Sequence, residues 1–361
     1  MNKRLLLLGT ALALVSLSAC GQNQKNSEKD SNDQSTEVSE MSNQDSQYDE
    51  DMNLIVYSPN SEGLINSLIP AFEESTGISV QLEQAGTGEL FTKLRGESSD
   101  PVADVMFGGS FATYEENKDL FDEYVAKDDS KLNDEYQNKE GYKTSYTLDG
   151  SVIIVNKDLT EGIEINGYKD LLNEKLKGKI ATADPTSSSS AFSHLTNMLV
   201  ANGGYDSDEA WDYVKRLFDN IDGKMQSSSS SVYKTVVDGE MAVGLSYEDP
   251  VAQLIKDGAD NIELIYMDEG VIFLPAGSGI IKGCDHPNNA KRFMDFLVSK
   301  EAQDILGTQT TNRPIRSDAE IGEYMKPYDD IKTLTEDYKY VKENKEDIIE
   351  KFRQILIETG E

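Results

Sequence analysis

From Met52 onward the apolar positions switch between two periods. Leu54-Ile55-Val56-Tyr57 is a short apolar run closed by Ser58-Pro59-Asn60, which predicts a strand. Leu64, Leu68 and Phe72 then recur at helical spacing and stop at Gly77, which predicts a helix with a glycine end. The unit repeats: Ile78-Ser79-Val80-Gln81-Leu82 alternates with period two, Gly86-Thr87-Gly88 turns the chain, and Leu90, Phe91 and Leu94 mark a second helix. Val102 to Phe107 reads as a third strand that ends in Gly108-Gly109-Ser110. Such β-α-β order predicts a mainly parallel sheet covered by helices, with ligands bound at the carboxyl ends of its strands.

Two later runs, Ser151 to Asn156 and Gly270 to Leu274, are apolar and β-branched and flank a middle segment with its own α/β pattern. They are expected to cross between two lobes, residues 52–150 with 270–320 forming one and residues 151–269 the other. The middle segment holds the run from Lys179 to Phe192, then a helix through Leu195 and Leu199, another from Trp211 to Phe218, and a strand at Met241 to Leu245. After Ile280 the pattern reads as helical to the end, and residues 321–361 are expected to be C-terminal helices.

The N-terminus has a different logic. Lys3 and Arg4 precede an apolar run from Leu5 to Leu17, too short for a stable membrane span, and Leu17-Ser18-Ala19-Cys20-Gly21 follows. Residues 1–19 therefore read as a secretory signal, and small residues before a cysteine resemble the lipobox of bacterial lipoproteins. That resemblance implies lipidation of Cys20 and a place on the extracytoplasmic membrane face, and the expected location is the cell surface of a Gram-positive-type bacterium. Residues 20–51 are Gln, Asn, Ser, Asp and Glu with almost no apolar side chains, so they read as a disordered tether.

Charge and composition narrow the chemistry. The 361 residues include 66 Asp and Glu against 34 Lys and Arg, and a net charge of -32 repels phosphate backbones and argues against nucleic-acid binding. Two Cys build no disulfide framework, and Cys284 is left alone once Cys20 is processed. His194 and His286 belong to no His-Glu-x-x-His array, and no Gly-x-Ser-x-Gly nucleophile motif is present. The expectation is a non-enzyme without a cofactor or a Cys/His metal site, with His194 a polar helix-edge residue.

Several segments in order carry a family resemblance: Val56-Tyr57-Ser58, Ala103-Asp104-Val105 with Gly108-Gly109, Leu148-Asp149-Gly150, Ile180 to Pro185, Tyr233-Lys234 ahead of Asp238 to Gly244, and Arg292 to Gln303. Together they resemble the solute-binding proteins of ABC importers, in the group of ferric-iron, 2-aminoethylphosphonate and hexose-phosphate binders. The resemblance implies an α/β, two-lobed, periplasmic-binding-protein-like (type II) fold with a β-strand hinge and an interlobe cleft. It also implies permease and ATPase partner subunits, a small solute and a monomeric receptor.

Residue chemistry separates the possible solutes. Ferric binders of this group hold iron with a His, a carboxylate and two adjacent tyrosines, hard ligands for a hard cation. Here Ser61 stands where the His is expected, Gly108-Gly109-Ser110 offers no carboxylate, and Tyr247-Glu248 replaces the tyrosine pair. Ser58, Asn60 and Ser61, then Thr87 and Gly88, Gly109 and Ser110, Ser187, Ser188 and Ser189, and Ser229 and Ser230 each fall where a strand or turn feeds a helix. Hydroxyls and free N–H groups at helix starts suit an anion such as a phosphate or phosphonate. Tyr247, Glu248 and Asp249 are the candidates for reading the organic part, with Tyr247 and Glu248 as metal ligands in the ferric alternative. Arg313 and Arg316 read as surface or interlobe pairs.

Overall fold

The computed structural model describes Asp49 and residues 51–160, 162–223, 225–226 and 228–359. The expected signal, Cys20 and most of the expected tether lie outside the described residues. In chain order the elements begin β1 (Asn53–Ser58), α1 (Glu62–Thr76), β2 (Ser79–Gln84), α2 (Thr87–Gly96), β3 (Val105–Ser110), α3 (Phe111–Glu116) and β4 (Thr144–Asn156). Next come β5 (Ile180–Ala183), α4 (Ser189–Ala201), α5 (Asp208–Ile221), β6 (Met225–Gln226), α6 (Ser229–Val237), β7 (Val243–Tyr247), α7 (Glu248–Lys256) and β8 (Ile262–Ile265). The chain closes with β9 (Val271–Ile280), α8 (Pro287–Leu297), α9 (Lys300–Thr308), β10 (Arg313–Pro314), β11 (Thr333–Leu334) and α10 (Tyr338–Thr359).

Strand order is β2-β1-β3-β9-β4-β7-β5-β6, with β8 and β10 added to β4 and β11 added to β9. The parallel pairs β1–β2 and β1–β3 build the first lobe, and β5–β6 and β5–β7 the second. Between them β4 and β9 run antiparallel to their neighbours, so the parallel sheet expected from β-α-β order is interrupted at its centre. The start of β4 pairs with β9, from Thr144 opposite Ser278 to Gly150 opposite Phe273. Its end, Ser151 to Val155, pairs with β7. One strand thus belongs to both lobes, and the crossing falls at Gly150–Ser151.

Burial explains the sequence pattern of that strand. Val152 and Ile154 pack with Val232, Val236 and Val251, whereas Ile153 and Val155 enter the larger core on the opposite face. A strand covered on both faces needs apolar residues at every position, not at alternate ones. β2 shows the converse: Val80 and Leu82 are half-buried while Ser79, Gln81 and Glu83 are exposed, as suits an edge strand. α1 ends at Gly77, whose φ of 75° lets its N–H reach the Glu73 carbonyl. Phe72 of α1 meets Phe293 and Phe296 of α8 edge-on at 5.0 and 5.5 Å, each pair contributing about 0.5–1.5 kcal/mol beyond its buried area.

Several expectations need correction. The expected tether extends to Asp51, but Asp49 already joins the fold: its Oδ2 accepts from the N–H groups of Asn288 and Asn289, each at 2.9 Å, at the start of α8. A carboxylate there is favoured by the helix dipole. The chain after Ile280 is not helical throughout. α9 is followed by a segment with Pro314 and Pro327 that returns across the sheet, where β10 pairs with β4 and β11 with β9, before the single helix α10. His194 is completely buried, not at a polar edge, because Tyr168 and the Ser246 carbonyl satisfy both ring nitrogens.

Candidate functional site

Three loops of the first lobe meet around Gly108 and Gly109. Ser58 Oγ donates to the Phe107 carbonyl at 2.6 Å, and Asn60 Nδ2 donates to the same oxygen at 3.0 Å. Tyr146 from β4 donates to Asn60 Oδ1 at 2.8 Å. These loops come so close because Gly108 lacks a side chain: a Cβ there lies 2.8 Å from Pro59 Cδ and 2.9 Å from Asn60 Oδ1, and its φ of 121° disfavours other residues. The Ser58 hydroxyl and the Asn60 amide are therefore engaged in fixing the loop. Ser61 is exposed and makes no side-chain cap. Thr87 and Gly88 open α2 beside Gly109, and Ser110 is exposed at the start of α3, 3.0 Å from the Thr113 hydroxyl.

In the second lobe the two serine runs touch. Ser188 caps α4 by accepting from the Ala191 N–H at 3.3 Å, and Ser228 caps α6 through the Ser231 N–H at 3.2 Å. Ser229 Oγ lies 2.7 Å from the hydroxyls of both Ser188 and Ser190, so the starts of α4 and α6 share one hydroxyl cluster. Ser230 turns to Ser228 at 3.0 Å. Ser187 and Ser189 remain exposed beside the cluster.

The two lobes face each other across one cavity of about 320 Å³. Ser110 lines it from the first lobe, Ser187, Ser188 and Ser189 line it from the second, and Leu274 and Pro275 of β9 form its floor. The remaining expected site residues do not line it.

At the hinge stands a second polar group. Glu248 is buried and held by Arg313, with Nε to Oε2 at 2.7 Å, while the Tyr266 hydroxyl donates to Oε1. Both carboxylate oxygens of Glu248 are thus engaged within the protein, as a buried structural ion pair and not as a group turned toward the cavity. Arg313 is likewise no surface residue, being 2% exposed, and its partner lies in the other lobe. Arg316 pairs with Asp318 at 2.8 Å and Asp128 at 2.9 Å. Asp249 accepts from Thr311 at 2.6 Å, and burial raises its carboxyl above the usual range against that bond, with Glu248 adding to the rise. Asp149, though it keeps some exposed surface, sits densely enough packed that desolvation raises its carboxyl well above the usual range, with the charges of Asp249 and Glu248 adding to the rise. Burial also raises the Tyr247 phenol, next to Asp149 and edge-on to Tyr233 at 6.4 Å. Among the described residues no group of three or more His, Cys, Asp or Glu could hold a metal ion.

Residue-type reasoning singled out neither Asp149 nor Tyr233 as a site residue, although both sit in the motifs that carry the resemblance. It also missed Phe111, Phe192 and the α10 residues that wall the cavity. Phe111 and Phe192 directly follow or sit within the serine and glycine starts of α3 and α4, the only local signal that marks them.

Residues 67–333 match the family described as bacterial extracellular solute-binding protein. The chain belongs to that family. It is a family of solute-binding proteins, not of enzymes. An uncharacterized Haemophilus influenzae protein is 26% identical over 315 residues, covering 83% of this chain and 90% of that one. Iron uptake protein A1 of Synechocystis is 25% identical over 356 residues, 93% of this chain and 92% of its own. Among solved structures, the periplasmic binding protein AfuA of Actinobacillus pleuropneumoniae, with fructose-6-phosphate bound, superposes with a TM-score of 0.68 at 23% identity, covering 84% of this chain and 98% of AfuA. The fold is accordingly the two-lobed one of periplasmic binding proteins, as the sequence resemblance implied. No helix among the described residues is long and apolar enough to cross a membrane.

Proposed function

We propose that the protein is the lipid-anchored solute receptor of an ABC importer and that it captures a small organophosphate or organophosphonate. The observation that carries this reading is a cavity lined by Ser110 from one lobe and Ser187–Ser189 from the other, backed by the Ser188–Ser190–Ser229 cluster. Hydroxyls and N–H groups at the start of α4 bind an anion at contact distance, where the net charge of the chain, screened over roughly 10 Å, matters little. The cavity of about 320 Å³ falls in the range usual for small-molecule sites. Closing the lobes about β4 and β9 brings Ser110 and Ser188 onto opposite sides of the anion, and the closed form presents itself to the permease and ATPase subunits. Asp249, Asp149 and Tyr247 then recognise hydroxyls or an ammonium on the organic part. Cys20 carries the lipid, and the receptor works as a monomer on the extracytoplasmic face of a Gram-positive-type cell.

The test is titration calorimetry with hexose phosphates, glycerol phosphates, phosphocholine and 2-aminoethylphosphonate. Ser110→Ala and Ser188→Ala should each weaken the bound compound by roughly ten- to hundredfold, the loss of one hydrogen bond to a charged group. Wild-type affinity in both variants contradicts the reading. Ferric iron is the second reading, supported by the oxygen-rich group of Tyr247, Tyr233, Asp149 and Asp249 at the hinge. It requires a tyrosinate-to-iron absorption band that Tyr247→Phe removes.

A further inference from the structure

One wall of the cavity is built by α10, which starts at Tyr338, beyond the residue 333 at which the family match ends. Val341, Ile348, Phe352 and Ile355 form its buried stripe, and Phe352 meets Phe218 of α5 edge-on at 4.7 Å. Lys351 over the Trp211 ring at 4.7 Å adds to this docking on the second lobe. The adjacent stripe, one position round the helix, places Tyr338, Lys342, Lys345 and Ile349 on the cavity. These positions are spaced three to four apart, so a single helical face presents two cations to the serine side.

Their surroundings differ. Lys342 lies 4.0 Å from Glu115 of α3, in the opposite lobe, and Glu115 is more tightly held by Lys143 at 2.9 Å. Lys345 stands 5.2 Å over the ring of Phe192, a residue of the helix that Ser188 caps, and has no ion-pair partner among the described residues. In a chain with 66 acidic residues against 34 basic ones, a lysine held over an aromatic ring at a cavity and left without a carboxylate is placed for an anion from outside. The ring restricts where the ammonium sits through cation–π attraction while leaving its N–H donors free.

We infer that α10 is part of the solute site, Lys345 supplying a charge-assisted contact to the anionic group and Lys342 supporting it from the same face. This inference rests on the proposed organophosphate reading and adds to it a specificity-determining element outside the region matched by the family. The ligand class is an anion with a compact phosphate or phosphonate head.

Calorimetry on the purified protein with glucose 6-phosphate, glycerol 3-phosphate and 2-aminoethylphosphonate tests it. For whichever probe binds, Lys345→Gln should weaken affinity about tenfold and flatten its salt dependence, whereas Lys345→Arg should stay within about threefold. The melting temperature without ligand should change little in the two Lys345 variants, since Lys345 is exposed and its described contact is the one over the Phe192 ring. Unchanged affinity in both Lys345→Gln and Lys342→Gln, with Ser188→Ala still weakening the probe, overturns the role of α10 and leaves the receptor reading intact. Equal loss in Lys345→Gln and Lys345→Arg overturns the charge-based contact. If no probe binds the wild-type protein, both readings fall.

Discussion

His194 is held in its neutral form by its two partners. The Ser246 carbonyl, 2.6 Å from Nε2, can only accept, so Nε2 carries the proton and Nδ1 accepts from the Tyr168 hydroxyl at 2.9 Å. Burial lowers its pKa from 6.5 to about 4. The unfolded chain therefore gains a proton first on acidification: the contribution of neutral His194 is fully present above pH 6.5 and lost as pH falls toward 4, amounting to about 3 kcal/mol. The stability gap between wild type and His194→Gln, measured by urea unfolding, should narrow across that interval. A constant gap contradicts the assignment. Glu248 has the opposite character, a buried carboxylate in an interlobe ion pair. Glu248→Gln should cost about 3–5 kcal/mol by leaving Arg313 buried without its counter-charge. If Glu248 were instead a solute ligand, affinity would fall more than stability. At this scale the serines at the starts of α4 and α6 were legible as strand-to-helix junctions, and the bonds they make there include ordinary N-caps, Ser188 to Ala191 and Ser228 to Ser231. The engagement of Glu248, Ser58 and Asn60 was not, since their partners Arg313, Phe107 and Tyr146 lie 65, 49 and 86 residues away.

Among the elements, β4 and the β3–α3 junction decide the geometry. Gly108→Ala adds a Cβ within 3 Å of Pro59 and Asn60 in a backbone conformation that costs non-glycine residues about 1–3 kcal/mol. The expected outcome is a lower melting temperature together with weaker solute binding, because Thr87 and Ser110 hang on the same loops. A drop in stability with wild-type affinity would detach this junction from the site. The first three strands and their helices were readable from periodicity and from Gly77. The polar first half of β4, Thr144 to Asp149, was not, because its pairing with β9 is decided by a partner more than a hundred residues away. Local pattern also misread residues 309–334, where β10 and β11 are only two residues long and exist through pairing with β4 and β9.

For the whole molecule, the proposed closure would rotate the two lobes joined through β4 and β9 about a few backbone bonds. Small-angle scattering should record a smaller radius of gyration when a binding solute is added, and no change with a compound that leaves the melting temperature unaltered. The two-lobed architecture was legible from the order of strand and helix patterns. The identity of the solute was not, because Ser, Thr and Gly donors are shared by several anions and the α10 wall carries no motif.

The most direct measurement is a thermal shift of the purified protein against hexose phosphates, glycerol phosphates, 2-aminoethylphosphonate, inorganic phosphate and ferric citrate with chelator controls. Binding to the native state raises the melting temperature with ligand concentration. The account predicts a concentration-dependent rise with one organic phosphate or phosphonate that Ser110→Ala and Ser188→Ala reduce. A rise with ferric iron alone, accompanied by a visible band lost in Tyr247→Phe, would contradict it.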